Sequence, residues 1–357
     1  MLSTDLLQKI NMHWKQELPF VLYVLPEDQT AHLLLQEDAS LHSAAGLDTP
    51  GFVFAPFDSN STSFCIPEVV SKRICVQAPL PTILNEAPAL YLETISDKEK
   101  HLLFVSEILQ KIKNKEVTKV VASRKKEVLL ASFNLDELVS RIIAMDVTAF
   151  RYVWYHPKTG IWCGATPEVL FLSDGASFST MALAGTQRVN GDILPIWGAK
   201  ETFEQQLVTD SITKTLTSLS TDIKVGTPKT HKAGSLYHIK TQIEGVFKPG
   251  ETTLPKIASL LHPTPAVCGT PRKKAFDIIQ KYEGYDREFY TGYLGAIEQK
   301  KDTAQLFVNL RCMKITPTTA TIYIGGGITS GSIPEDEWQE TKNKMATMLG
   351  VLTPMLS

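Results

Sequence analysis

Four short apolar segments follow one another between residues 150 and 183, and they constrain the fold more than any other part of the chain. They are typical of β-strands, and the loop 156–160 between the first two has the composition of a hairpin turn. Longer amphipathic patterns typical of helices occur elsewhere, for example at 97–115 and 334–352. Another helix is predicted from Pro271 to about residue 282, with Thr270 as its N-cap. Strands in runs, with helices between the groups, predict an α+β fold with extensive antiparallel sheets and helices packed outside.

The length and the distribution of these patterns bear on domain organisation. The chain has 357 residues, of which 43% are hydrophobic, so it has enough apolar material for one large domain or two ordinary ones. Residues 1–95 are interrupted by Pro, Ser and Asn residues typical of turns and loops, whereas the helix and strand patterns of 96–357 are more regular. We expect a single large domain in which residues 1–95 form a less regular N-terminal portion.

Composition narrows the class of protein. With 36 Lys and Arg against 38 Asp and Glu, the net charge of −2 argues against a nucleic-acid binder. No stretch approaches the roughly 18 apolar residues of a membrane-spanning helix, and the N-terminus does not resemble a secretory signal. The five cysteines are scattered without a metal-binding spacing. We therefore expect a cytoplasmic enzyme with reduced thiols and no membrane partner.

Three charged residues interrupt otherwise apolar elements. Lys119 lies in the strand-like segment 117–122, where it is either an edge-strand residue that deters aggregation or a desolvated amine that acts as a base. Glu168 follows Pro167 and is either a solvated loop carboxylate or a group presented at a rigid corner. Arg311 interrupts the segment 305–315, which is predicted to be one strand. It needs an anionic partner, which is either a protein or a ligand carboxylate.

Two predicted helices carry carboxylates at helical spacing. Glu201 and Glu204 share one face of the first, and Glu337, Glu340 and Lys344 share a stripe of the last. Each pattern is also typical of a solvated helix face. If the two helices face each other, however, their carboxylates can hold one Mg²⁺ ion.

Taken in order, the segments from about residue 96 to 352 resemble the chorismate-utilising enzymes. The motifs are TKVVASR (118–124), GATPE (164–168), LAGT (183–186), the helix from Lys200, HPTPAV (262–267), DREFY (286–290), NLR (309–311), GGGI (325–328) and EWQET (337–341). Residues 1–95 carry no motif that we can place. The resemblance implies that 96–357 is the chorismate-binding catalytic region.

Within this family the sequence is most similar to isochorismate synthases, which interconvert chorismate and isochorismate for menaquinone or siderophore biosynthesis. Ammonia-adding members usually have glutamine where Lys119 stands, and aminodeoxychorismate synthases carry a nucleophilic lysine where Ala184 stands. Salicylate synthases, which also eliminate pyruvate, share the Lys119 and Glu168 pair and remain an alternative. A non-catalytic chorismate-binding protein is a third.

The resemblance also implies roles for single residues. Lys119 is expected to be the general base that activates water for attack at C2 of chorismate, and Glu168 the general acid that protonates the departing C4 hydroxyl. Glu204 and Glu340 are expected to bind the cofactor Mg²⁺. Gln205 follows the first of these where the family usually has histidine, which raises the question of what this side chain contacts.

The remaining expected site residues bind the substrate, a dicarboxylate. Arg311 and Lys344 are expected to bind carboxylate, and Gly325, Gly185 and Thr186 to line the site. Chorismate is the expected small-molecule partner, and the resemblance implies a monomer.

Overall fold

The computed structural model describes residues 2–82, 94–188, 194–234, 236–250, 253–298 and 303–356. Across these residues the chain forms seven α-helices, which are α1 (Thr4–Lys15), α2 (Ile95–Lys113), α3 (Leu135–Ile143), α4 (Ala199–Thr217), α5 (Leu254–Leu261), α6 (Arg272–Tyr282) and α7 (Pro334–Leu352). Single 3₁₀ turns lie at Glu68–Val70 and Thr353–Met355. None of the described helices has both the length and the apolar composition needed to cross a membrane.

Nineteen strands lie in the described part of the chain. They are β1 (Phe20–Val24), β2 (Thr30–Gln36), β3 (His42–Ser43), β4 (Gly51–Ala55), β5 (Phe64–Pro67), β6 (Ser71–Gln77), β7 (Lys119–Leu129), β8 (Phe150–His156), β9 (Gly160–Thr166), β10 (Val169–Asp174), β11 (Ser177–Arg188), β12 (Ser220–Val225), β13 (Lys229–Ala233), β14 (Leu236–Phe247), β15 (Gly269–Thr270), β16 (Tyr293–Ile297), β17 (Thr303–Val308), β18 (Cys312–Ile315) and β19 (Thr319–Ile328).

The strands form two large antiparallel sheets. The first has the order β15-β7-β19-β18-β9-β8-β1-β2-β6, and the second has the order β12-β14-β11-β10-β17-β16-β4-β5-β3, with β13 also paired to β14. The predicted α+β class with extensive antiparallel sheets is confirmed. The N-terminal residues form one helix and six strands that join both sheets, and α1 was not predicted.

The two sheets pack face to face through an aromatic core. Along β8, Phe150, Tyr152 and Trp154 point into this core, whereas Val153 and Tyr155 belong to a second core beneath α1, α3 and α7. This alternation follows from the two-residue period of a strand. The outer face of the second sheet packs on α4 and α5, so the molecule has helices outside and sheets inside.

Two predicted element boundaries were wrong. The segment 305–315 was predicted as one strand, but it divides into β17 and β18, which belong to different sheets. The chain turns between them, and Arg311 has a φ of 47° there. At α6 the first helical residue is Arg272 with Pro271 as N-cap, because the predicted cap Thr270 pairs with β7 instead.

Candidate active site

One cavity lies where the glycine end of β19 meets α4, α7 and the bulged part of β11. Eight of the nine site residues expected from the sequence line it, namely Glu168, Gly185, Thr186, Glu204, Arg311, Gly325, Glu340 and Lys344. The ninth, Lys119, lies just behind the wall, where its amine contacts Glu204. The fold thus brings together residues that are up to 225 positions apart, from 119 to 344.

The glycines of β19 let side chains approach the strand backbone closely. They pair with β7, Gly325 opposite Ser123. A Cβ atom on Gly327 would lie 2.0 Å from Oε1 of Glu204, and one on Gly325 would lie 2.8 Å from the Tyr290 hydroxyl. Both distances are too short for real atoms, so the bare backbone is needed for these contacts.

Lys119 is the first residue of β7, and its side chain is fully buried. Its strand is covered on one side by β19 and at this end by β15, so the exposed edge-strand alternative does not hold. The Nζ atom lies 3.0 Å from Oε1 of Glu204. The Lys119 amine therefore lies in an enclosed place beside the cavity, with Glu204 as its ion-pair partner.

Glu168 occupies the corner between β9 and β10, where its side chain is buried. Burial raises the pKa of this carboxyl to about 7, and the nearby charges of Lys119 and Lys344 offset only part of that effect. The hydroxyl of Thr264 lies 3.5 Å from Oε1, and the Glu168 carbonyl accepts a backbone hydrogen bond from Val308. The rigid corner therefore presents a carboxyl that is still partly protonated near neutral pH, where an ordinary glutamate is ionised.

Three glutamates from two helices gather around the backbone of β19. Glu204 comes from α4, and Glu337 and Glu340 come from α7. A Cβ on Gly326 would lie 3.3 Å from Oε2 of Glu337 and 3.6 Å from Oε1 of Glu340. Glu337 was not among the predicted ligands, although its spacing of three residues from Glu340 was a signal for it.

Each of the two α7 glutamates pairs with a lysine. Lys344 lies 2.7 Å from Glu340, and burial, which would raise the pKa of Glu340, is outweighed by Lys344, Lys200 and Arg311, so that pKa is lowered. Lys200 lies 2.5 Å from Glu337. Burial, and then the charge of Glu340, nevertheless raises the pKa of Glu337.

Arg311 and His238 form a polar pair in the wall of the cavity. The Nη2 atom of Arg311 donates to Nε2 of His238 over 3.0 Å, and Nδ1 of His238 donates to the carbonyl of Gly185. Burial, followed by the charges of Arg311 and Lys344, lowers the pKa of His238 well below its ordinary value. A neutral ring with this tautomer orients the guanidinium, which faces the cavity.

His238 was missed because a single histidine in the apolar strand β14 is usually a packing residue. Tyr290 was quoted only as part of a motif, and it also lines the cavity. Gly185 has a φ of +71° at a bulge in β11, which turns its carbonyl toward His238. No local sequence pattern identifies either contact.

Gln205 points away from the carboxylates, toward β14. Its Nε2 donates to the hydroxyls of Thr241 over 2.6 Å and Thr209 over 2.9 Å. The side chain is buried, so these bonds satisfy the amide and tie α4 to the sheet.

Comparisons with known proteins show the family and the fold of this chain. The sequence profile of the family described as chorismate binding enzyme matches residues 70–353. Isochorismate synthase EntC of Escherichia coli K12 is 32% identical over 246 residues, which is 66% of this chain and 62% of that protein. Isochorismate synthase DhbC of Bacillus subtilis is 33% identical over 195 residues, or 52% of this chain and 49% of that one. The matches thus span about half to three-fifths of these relatives.

Solved structures share the fold over nearly the whole chain. A 2,3-dihydroxybenzoate-specific isochorismate synthase, DhbC from Bacillus anthracis, superimposes with a TM-score of 0.81 at 24% identity, covering 97% of this chain and 99% of that one. Anthranilate synthase component I from Streptococcus pneumoniae gives a TM-score of 0.67 at 16% identity, covering 93% and 92%. These likenesses show the fold, and the profile match shows the family. The chain belongs to the chorismate-binding enzyme family.

Proposed function

We propose that this chain is an isochorismate synthase, which converts chorismate to isochorismate by attack of water at C2 and loss of the C4 hydroxyl. The observation that carries the proposal is the placement of Lys119 and Glu168 at one cavity, with burial raising the pKa of the Glu168 carboxyl to about 7. Exchange of one hydroxyl for another needs one group that accepts a proton and one that donates it.

The two groups divide this work. Lys119, as the unprotonated amine, accepts a proton from the attacking water, whose oxygen bonds to C2. Glu168 gives its proton to the C4 oxygen, which leaves as water while the ring double bonds shift. One water enters and one leaves, so the substrate is isomerised without a redox change. An acid with a pKa near the working pH is efficient in such a step, since it is still protonated but gives up its proton readily.

Cationic side chains and glycine backbone in the cavity wall bind the substrate. Arg311 and Lys344 bind the carboxylates of the dianion, and His238 holds the Arg311 guanidinium in place. Gly185 and Thr186 line the same cavity, and the Gly185 carbonyl accepts the hydrogen bond of His238. Because an arginine forms two parallel hydrogen bonds with a carboxylate, a fixed guanidinium sets the orientation of the substrate ring.

The glutamates suit a magnesium ion. One oxygen of Glu337, Oε2, is buried without a hydrogen-bond partner among the described residues, and Glu204 and Glu340 line the cavity beside it. Oxygen ligands from one or two carboxylates, with water and a ligand anion, are what Mg²⁺ prefers. We propose that Glu204 and Glu340 hold it, assisted by Glu337. When bound, the ion supplies positive charge that offsets the substrate carboxylate.

Two positions argue for water rather than ammonia or a protein nucleophile as the attacking group. Family members that add ammonia usually have glutamine in place of Lys119. Aminodeoxychorismate synthases carry a nucleophilic lysine where this chain has Ala184, which lines the cavity and offers no nucleophile. Water therefore remains as the attacking group, and it needs the base that Lys119 provides.

The proposal is tested by incubating the pure protein with chorismate and MgCl₂ and following the products by NMR. We expect isochorismate to accumulate to an equilibrium with chorismate, and we expect EDTA to stop the reaction. Salicylate and pyruvate as the main products would instead identify a salicylate synthase. Binding of chorismate without any product would identify a non-catalytic binding protein.

A further inference from the structure

The three glutamates beside β19 are each held by a lysine. The ion pairs are Lys119 with Glu204 at 3.0 Å, Lys344 with Glu340 at 2.7 Å and Lys200 with Glu337 at 2.5 Å. Three positive charges thus balance three negative charges. The place where we propose a magnesium ion is therefore already neutral without one.

The pair between Lys119 and Glu204 is the most enclosed of the three at its cationic end. The Lys119 side chain is 0% exposed, compared with 15% for Lys344 and 25% for Lys200. Its Nζ makes no hydrogen bond within the described part of the chain, and Glu204 is its ion-pair partner there. A buried ammonium with so few partners depends on that carboxylate, and the carboxylate depends on it.

The positions of the glutamate oxygens agree with a Glu204 that is paired to Lys119 rather than arranged around a metal. Among the described residues no three acidic, histidine or cysteine side chains stand at the spacing of a metal centre. The Oε1 atom that contacts Lys119 is the same atom that lies over Gly327. A dication that approaches β19 therefore meets an oxygen already engaged by an ammonium, and the two cations repel each other strongly at such distances.

We propose that Lys119 serves as a built-in counter-ion for Glu204 in the metal-free protein, and that a divalent cation binds by displacing its amine from that carboxylate. The inference rests on the proposed magnesium site and extends it. Lys119 then weakens metal binding by competing for Glu204. Metal loading in turn separates the Lys119 ammonium from its carboxylate. The residue proposed as the base is thus released from its ion pair only when the metal is in place, and it then gives its proton to water before it acts as a base.

The experiment is a calorimetric titration of MgCl₂ into the protein without chorismate, at one fixed pH and low salt. Lys119→Met keeps the length of the side chain but removes the charge, and it is expected to lower the dissociation constant for Mg²⁺ about tenfold. Lys119→Arg keeps the charge and is expected to bind Mg²⁺ as weakly as the wild type. Lys314→Met removes a lysine that pairs with Glu288 away from the cavity, and it is expected to leave the affinity unchanged.

The outcomes distinguish the counter-ion role of Lys119 from the magnesium site itself. An unchanged or weaker affinity in Lys119→Met, with wild-type protein that does bind Mg²⁺, overturns the counter-ion role and leaves the metal site standing. Absence of Mg²⁺ binding in both proteins overturns the metal site and the counter-ion role together. Should Lys119→Met fail to fold, a crystal structure of the wild type with Mg²⁺ decides. The distance from Nζ of Lys119 to Glu204 must then exceed about 4 Å, and retention of the 3.0 Å contact contradicts the inference.

Discussion

Glu168 shows how one buried position changes the chemistry of a common side chain. In water its carboxyl would be ionised at neutral pH, but at the corner between β9 and β10 burial raises its pKa to about 7. Lys119 and Lys344 lie close enough to oppose this shift without cancelling it. The same cavity therefore holds a carboxyl that can donate a proton and two cationic side chains, Arg311 and Lys344, that can bind a dianion.

The raised pKa of Glu168 predicts the pH dependence of the reaction. Because the acid must be protonated, kcat/KM is expected to fall as the pH rises through about 7. The free energy of unfolding is expected to fall with rising pH as well, because the pKa of this carboxyl is raised from 4.5 in the unfolded chain to about 7 in the folded protein. Its contribution to stability is fully present below pH 4.5 and is lost as the pH rises through 7. A pH series of kcat/KM measures the effect, with Glu168→Gln as an inactive reference. A rate that stays constant from well below to well above pH 7 would contradict the role.

Removal of the Lys119 amine is expected to abolish turnover. Lys119→Ala should lower kcat by at least about 10²-fold, because the attacking water then lacks a base, while chorismate still binds to Arg311 and Lys344. Steady-state kinetics together with a binding titration separate the two effects. Normal turnover in this variant would rule out Lys119 as the base.

At the scale of elements, the site depends on how two helices and a glycine-rich strand meet. The helices α4 and α7 bring their glutamates to the backbone of β19, which has three successive glycines at that point. The sequence spacing places each pair of carboxylates on one helix face, but it does not say that the faces meet. The bare strand makes the meeting possible, because any Cβ on Gly327 would collide with Glu204.

The glutamates of α4 and α7 are expected to control the response to magnesium. Glu204→Ala or Glu340→Ala should abolish activity and the stimulation by MgCl₂ together, since each removes an oxygen ligand. Asp210→Ala, at an exposed position of the same α4, is the matched control and should retain both. The measurement is initial rate against MgCl₂ concentration. A normal magnesium response in either glutamate variant would show that the ligands are wrongly assigned.

The ion pair between Arg287 and Glu283 is expected to hold the elements behind the site together. Both side chains are buried, and the guanidinium also donates to the carbonyls of Val121 in β7 and Val267. Arg287→Met leaves Glu283 as an unpaired buried carboxylate and should lower the free energy of unfolding by about 3–5 kcal/mol.

The matched control for Arg287 is Arg73→Met, which breaks a partly exposed pair with Glu68 and should cost less than about 1 kcal/mol. Denaturation in urea measures both variants. Equal losses in the two proteins would show that burial does not distinguish these pairs.

Local patterns predicted most elements of the fold, and the physical reason is their periodicity. The strands from β8 to β11 are short apolar runs separated by turn residues, and the helices α4 and α7 carry apolar residues at helical spacing. The assignment of β17 and β18 to different sheets was not predictable, because the break depends on the left-handed turn at Arg311 and on strands that pair from distant positions. Pairing with β7 likewise removed Thr270 from its predicted place as a helix cap.

The candidate site was predictable only where residues carry a motif. The charged residues Lys119, Glu168, Glu204 and Glu340 interrupt apolar patterns or repeat along a helix, so they could be singled out. His238 has no such signal, and its role depends on a register that places it opposite Thr186 beside Arg311. Long-range contacts of this kind are encoded by the whole fold rather than by a local pattern.

At the scale of the whole molecule, the site exists only because two sheets and their outer helices close around it. Its residues come from β7, the corner after β9, β11, β14, β19, α4 and α7, with Arg311 in the turn between the sheets. The segment between β11 and β19 alone does not form it, since Lys119 and Glu168 precede that segment. We therefore expect the reaction to take place in the assembled cavity, where water adds at one ring carbon and a hydroxyl leaves from another.

That claim is tested most directly by the origin of the new hydroxyl oxygen. The enzyme is given chorismate and MgCl₂ in water enriched in ¹⁸O, and the isochorismate formed at early times is analysed by mass spectrometry and by the isotope shift of its ¹³C NMR signals. The account predicts one ¹⁸O atom per molecule of isochorismate, carried by the hydroxyl at C2. Isochorismate without ¹⁸O would mean that the C4 hydroxyl is transferred within the substrate, and this result would contradict the proposed roles of Lys119 and Glu168.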